Sequence, residues 1–384
     1  MGAGRRAFIH FGLQKTGTSF LQHVLFQSTE ALAAQGLDMV PGDRLAAFRL
    51  MLRVRHRYDP AIDPPGVADA LKRFQEQLEA APGTRALLTE ESLAPAMKRE
   101  IAPLLEACAS REVHLVITVR DLARQIPSAW QEWVKRSMNL PFEEYVESLY
   151  EREVPASRKF WAHQDLTRTM GRWALFVPPE RIHVVTVPQR GANPQVLLDR
   201  FCQVIQVEPG SLDLNAPLRN DSLGHVQAEL LRRVNEALAP ELRRRDIHGA
   251  VGKRYFAGQI LRRQEGAPAR LHARHRPWCD ELAHGFVAEL RAGGYRVVGD
   301  LEELIPADTS YTEDAEPVDD TAVARSAAEA LAAILADEAE RRLAARTRRA
   351  ANDQLRQGGR ASGLHRRLAR GLRLWVRRRV RRSS

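Results

Sequence analysis

The sequence predicts an α/β fold: a three-layer α/β/α arrangement around a central parallel sheet, with a P-loop-like phosphate site and a helical, basic C-terminal extension. Three observations predict it. Four short apolar runs, at 7–11, 86–89, 113–119 and 182–187, read as buried strands. Helical stretches lie between and after them, at 19–34, 67–80, 120–136 and 195–205. Strands alternating with helices favour a parallel sheet covered on both faces. Finally, the first run passes through a glycine-containing loop straight into a helix, which is how anion sites are built.

The elements follow in order. Phe8-Ile9-His10-Phe11 leads into Gly12-Leu13-Gln14-Lys15-Thr16-Gly17-Thr18-Ser19. Phe20, Leu21, Val24 and Leu25 then recur at helical spacing. A second strand ends in Thr89-Glu90-Glu91-Ser92, and a third in Val119-Arg120. The stretch 221–238 reads as a helix capped by Ser222, with Val226, Leu230, Val234 and Leu238 on one face. The body closes within 295–306. An acidic, apolar-poor stretch follows and reads as a linker. The Ala-rich stretch 321–357 reads as a helix with acids early and arginines late, as its dipole favours. Gly358-Gly359 is expected to break it. The expected organisation is a domain over 1–307, a linker over 308–321 and a helical, Arg-rich tail over 322–384.

With 384 residues the chain can bury a substantial core. No segment approaches 18 uninterrupted apolar residues, so no membrane span is expected. The first strand starts too early for a secretory leader. Arg6 stands where a myristoylation signal wants Ser or Thr. Cys108, Cys202 and Cys279 form neither a disulfide framework nor a zinc pattern, which suits reduced thiols in the cytoplasm. The net charge of +10 is unevenly placed. Residues 341–384 hold 16 Arg and one acid, Asp353, giving +15 and leaving −5 for the other 340 residues. The high isoelectric point therefore does not mark the folded body as a nucleic-acid binder.

In the Walker A loop, G-x-x-x-x-G-K-[ST], the lysine follows the second glycine. Gly12 and Gly17 keep that separation, but the lysine is Lys15, inside the loop. No hydroxyl directly follows a lysine at the helix start to hold magnesium. The loop reads as a site for one phosphate, closed by the backbone N–H groups of residues 15–19 and the helix dipole. An ordinary strand-to-helix turn is the bland alternative.

Lys15-Thr16-Gly17-Thr18-Ser19 resembles the 5′-phosphosulfate loop of sulfotransferases that use 3′-phosphoadenosine 5′-phosphosulfate (PAPS). That family carries a second motif, a strand ending in Arg with Ser eight residues later. The stretch from Val113 through Arg120 to Ser128 and Trp130 has that form. The resemblance covers roughly residues 5–306 and looks closest to the bacterial and carbohydrate sulfotransferases. An Arg-Lys-Gly signature of the cytosolic small-molecule type is missing. The resemblance implies PAPS as co-substrate, no metal, and transfer of a sulfuryl group to a hydroxyl of a glycan or glycolipid. It implies that Lys15, Thr16, Gly17, Thr18 and Ser19 hold the 5′-phosphosulfate, and that Arg120 and Ser128 hold the 3′-phosphate. A guanidinium grips a phosphate through two parallel hydrogen bonds, which suits Arg120 to that role. Taken alone, Arg120 reads equally well as a partner of Asp121.

Sulfuryl transfer needs in-line geometry, charge stabilisation and a base. Lys15 is the candidate for charge on the leaving oxygen. Glu91 best matches the family's glutamate after the second strand and is the candidate base. Glu90 and Glu91 are also candidates for capping the helix near Leu93. His10, within a core strand, reads as packed or bonded to backbone. Trp130 and Trp133 read either as acceptor-cleft aromatics or as core.

Leu364, Leu368, Leu372, Trp375, Val376 and Val380 recur every three or four residues in the tail. That pattern suits a cationic helix on an anionic membrane surface, or a disordered basic tail. The expected protein is a bacterial, cytoplasmic sulfotransferase, peripheral on the inner membrane face. The rivals are a P-loop kinase with an altered loop and a non-catalytic polyanion-binding protein. A kinase would want an acid ending a strand, yet the third strand ends in Arg120.

Overall fold

The chain runs β1 (Arg6–Gly12), α1 (Thr18–Gln27), α2 (Thr29–Ala34), β2 (Leu37–Met39), α3 (Arg44–Val54), α4 (Ala70–Ala80), β3 (Arg85–Thr89), α5 (Lys98–Glu106), β4 (Glu112–Val119) and α6 (Leu122–Val134). It continues through α7 (Phe142–Ser148), α8 (Pro155–Gln164), α9 (Leu166–Trp173), β5 (Ile182–Thr186), α10 (Gln195–Ile205), α11 (His225–Ala237) and α12 (Arg245–His248). A π-helical segment, Gly249–Ile260, precedes β6 (Leu271–His272), α13 (Arg276–Ala292), β7 (Arg296–Val298), β8 (Tyr311–Thr312) and α14 (Asp320–Gln357). This computed structural model describes residues 4–152, 154–214, 222–313 and 318–357.

Six of these strands form one parallel sheet in the order β2-β3-β1-β4-β5-β7. Strand β1 is central, with Ile9 paired to Leu88 of β3 and to Leu115 of β4. Its alternate side chains serve opposite faces, as a pleated strand requires. On one face Phe8, Leu87, Val116 and Val185 meet Leu21 and Leu25 of α1 and Leu198 and Phe201 of α10. On the other, Phe11 stacks on Trp173 of α9 with ring centroids 4.6 Å apart. The fold is therefore the three-layer α/β/α arrangement around a parallel sheet. No described helix is long and apolar enough to cross a membrane.

The four predicted strands form with small shifts at their ends. Two further strands, β2 and β7, escape the sequence because three residues give too short a pattern to read. The helix expected over 19–34 breaks at Ser28 into α1 and α2. Ser222 does not cap α11, which begins at His225 with Gly224 as its N-cap. Within the stretch read as an acidic linker, Tyr311 is buried and pairs with Leu271. The chain divides into two units, Met1–Ser326 and Ala327–Ser384. The apolar stripe from Leu364 to Val380, and the break at Gly358-Gly359, lie outside the described residues.

Candidate active site

The carboxyl ends of β1, β3 and β4 converge on the loop between β1 and α1. Lys15 (φ 71°) and Gly17 (φ 83°) both adopt the left-handed conformation and curl the chain around Thr16. The left-handed φ at Gly17 favours glycine, and a side chain there would also push on Leu197 of α10. Among the described residues, the amides of Lys15 through Ser19 find no backbone acceptor. They crown the start of α1, where unsatisfied N–H groups and the helix dipole favour an anion.

Each loop hydroxyl has a different task. Thr16 is fully buried; its Oγ1 donates to Leu13 O at 2.7 Å and contacts Thr118 Oγ1 at 2.8 Å. Its side chain therefore locks the loop to β4, and only its amide remains for a ligand. Thr18 points toward β3, where its hydroxyl donates to Glu91. Ser19 is exposed and open to a ligand.

The two glutamates after β3 diverge. Glu90 is the N-cap of the short 3₁₀ turn Glu91–Leu93, accepting from the Ser92 amide at 3.0 Å. Glu91 turns back to the anion loop through Thr18. Burial pushes the Glu91 carboxyl above the usual range, against the lowering effects of the Thr18 hydrogen bond and the Lys15 ammonium. Glu90 is also raised by burial.

Lys15, Thr18, Ser19, Glu90 and Glu91 line a cleft of about 870 Å³. Its far wall holds residues that the sequence did not disclose: Glu132 on α6 and Lys253 in the π-helical segment. Lys253 Nζ stands 2.5 Å from Glu132 Oε1, and Arg136 Nε 3.1 Å from the same atom. Burial opposes ionisation of Glu132, but Lys253, Arg136 and Lys15 together outweigh it and hold the carboxyl at about 2. Glu132 sits one helical turn after Ser128, on the same side of α6, and that spacing is the signal that could have found it. Lys253 lies in a segment of wide helical turns, a geometry frequent at functional sites, with no readable sequence signature.

Arg120 lies on the β4 side of the loop. Its Nη1 donates to Lys15 O at 2.9 Å, while its buried Nε has no hydrogen-bond partner. Asp121 forms no ion pair with it among the described residues, although its charge still favours the guanidinium from nearby. Asp121 instead caps α6, accepting from the Arg124 amide at 3.0 Å and pairing with the Arg124 guanidinium. Burial, reinforced by Arg124 and Arg190, pulls Arg120 down to about 10. Ser128 follows on α6, partly accessible. Neither Arg120 nor Ser128 lines the cleft. The loop thus adjoins two places: the cationic Arg120, which bonds to its Lys15 carbonyl, and the cleft that Lys15, Thr18 and Ser19 line with Glu91.

The remaining candidates do not line the cleft. His10 is buried, bonded through Nδ1 to Thr89 Oγ1 at 2.8 Å, and held neutral by burial at about 3. Trp130 is core: its Nε1 donates to Leu140 O at 3.0 Å and its ring packs on Phe142. Trp133 lies between Arg136 and Lys159, each within 6 Å of its ring centre. Neither tryptophan lines the cleft, whose aromatic wall is instead Phe20, Phe26 and Phe48.

Fold and site together define a class: a parallel α/β protein whose first strand passes through a loop of unbonded backbone amides into a helix, beside a carboxylate-bearing cleft. No family model and no curated protein matches the chain. Among solved structures it is similar to the crystal structure of a sulfotransferase from Alicyclobacillus acidocaldarius. The two are 15% identical with a TM-score of 0.42, over 77% of this chain and 97% of that one.

Proposed function

We propose that this protein is a sulfotransferase that moves a sulfuryl group from PAPS to an acceptor hydroxyl, on a glycan or glycolipid. One observation carries the reading: Glu91, a carboxyl of raised proton affinity, is hydrogen-bonded to the anion loop and opens into the same cleft as Lys15. A base, a cation and an anion cradle then meet where an acceptor can enter.

The residues suit such a donor. The free amides of Lys15 to Ser19 fit one phosphate. The unpartnered Nε of Arg120, with Ser128 on the next helix, fits a second. When bound, the donor supplies the sulfuryl group and leaves as the 3′,5′-bisphosphate. Glu91 accepts the acceptor's hydroxyl proton as the oxygen forms its bond to sulfur. Lys15 neutralises the charge left on the phosphate oxygen as its bond to sulfur breaks. Thr18 keeps Glu91 turned toward the loop, and Thr16 keeps the loop fixed to β4. The reaction would run in the cytoplasm, with the Arg-rich tail holding the enzyme to an anionic membrane face.

The test is a titration with 3′-phosphoadenosine 5′-phosphate, compared with ATP plus magnesium. The reading requires the bisphosphate to bind at least tenfold more tightly. Preference for ATP with magnesium would replace it with a kinase.

A further inference from the structure

The cleft walls carry seven cationic side chains and three carboxylates. Lys15 belongs to the anion loop. The others come from three directions: Arg44 from the start of α3, Lys135 and Arg136 from the end of α6, and Lys253, Arg254 and Arg262 from and just after the π-helical segment. The three carboxylates are already engaged. Glu90 accepts from the Ser92 amide, Glu91 from Thr18, and Glu132 from Lys253 and Arg136.

Cationic side chains thus outnumber carboxylates on walls that also hold the candidate base, and Arg44 and Arg254 are the two that concern a ligand. Arg44 is exposed and donates to the side-chain amide of Gln22 at 3.1 Å, not to a carboxylate. Arg254 is exposed and has no ion-pair partner among the described residues. The body of the chain is net acidic, so a cationic cleft is a local feature and not a reflection of overall charge. Clefts of one sign concentrate ligands of the opposite sign, and guanidinium groups match carboxylate, sulfate and phosphate geometry.

We infer that the cleft selects an anionic acceptor, one bearing carboxylate, sulfate or phosphate groups beside the hydroxyl that reacts. Arg44 and Arg254 are the specificity-determining residues. This rests on the sulfuryl-transfer reading for the word acceptor, while the charge selection stands on the cleft itself. Arg120, bonded to the Lys15 carbonyl, does not line this cleft, whereas Glu91 does. Lys253 and Arg136 are already paired with Glu132, so they shape the wall.

The experiment uses full-length protein saturated with 3′-phosphoadenosine 5′-phosphate at physiological salt. Binding is measured for maltohexaose, hexagalacturonate, a heparin hexasaccharide and phosphorylated maltohexaose, with wild type and with Arg44→Gln/Arg254→Gln. At least one anionic oligosaccharide should bind tenfold or more tightly than maltohexaose. The double substitution should cut that preference at least fivefold and leave bisphosphate affinity unchanged. Equal binding of all four, or none, overturns the inference. An anionic preference that ignores the double substitution also overturns it, since the binding then belongs to the Arg-rich tail. If the bisphosphate fails to bind but the substitution still abolishes an anionic preference, the charge selection stands and the sulfuryl-transfer reading falls.

Discussion

The Thr18 hydroxyl, in the first turn of the helix that follows the anion loop, donates to the carboxylate of Glu91, which follows a different strand. The bond joins β1's loop to β3's end across the sheet. It ties the group that would take a proton to the backbone that would hold the donor. Glu90, one residue earlier, is committed to the Ser92 amide instead.

Glu91→Gln keeps size and shape but cannot accept the proton. Turnover should fall by roughly 10²–10⁴, with donor affinity retained. Glu90→Gln should be milder, because an amide oxygen can still accept from Ser92. Steady-state kinetics beside bisphosphate titration check both, and the opposite order of severity would move the base to Glu90.

Turnover should be lost on the acid side at a pH above the ordinary carboxylate range of about 4. The base must be ionised, and burial raises Glu91. Activity is therefore full above the raised value and fades as pH falls through it. Thr18→Val removes a hydrogen bond that favours the ionised form, so the acid limb should move further up. A pH–rate profile with an unmoved limb in the variant would detach Glu91 from the titration.

Lys15→Ala should remove most of the turnover while weakening bisphosphate binding only a few-fold. The ammonium acts chiefly on charge that develops during transfer. Near-normal turnover at saturating donor would assign that charge to another group.

Ser128→Ala should weaken 3′-phosphorylated nucleotides and spare nucleotides without that phosphate. Arg120→Ala should cost more, since it removes a fork-shaped cation. It also removes the bond to the Lys15 carbonyl, so a smaller loss for both nucleotides is expected with it. Equal losses with and without the 3′-phosphate in Ser128→Ala would sink the assignment.

Full-length protein should bind vesicles of anionic lipid, and a chain ending at Gln357 should not. Cutting there keeps Val323 and Ser326 of α14, both buried, the latter bonded to Gln264. Binding should weaken with salt and on changing Leu372 and Trp375 together to Ser, because a surface helix needs both charge and an apolar face. Flotation assays that show no change on that double substitution would reduce the tail to a plain polycation.

The sequence by itself determined the strand–loop–helix around Lys15, the Arg120–Ser128 spacing and the long strands of the sheet. These are local: a continuous apolar run, a glycine pair and a spacing of eight residues are visible without knowing what lies nearby. The three-residue strands β2 and β7 were invisible because they form only when longer neighbours template them. Tertiary structure decided the rest. It turned Glu91 toward Thr18 and left Glu90 as a cap, a distinction that adjacent, identical residues cannot express. It paired Asp121 with Arg124, so that Arg120 has no ion pair with its neighbour among the described residues. It also brought Lys253 to Glu132 across 121 positions of chain. Charge neutralisation depends on distances of a few ångströms through a low-dielectric interior, and only the folded sheet sets those distances.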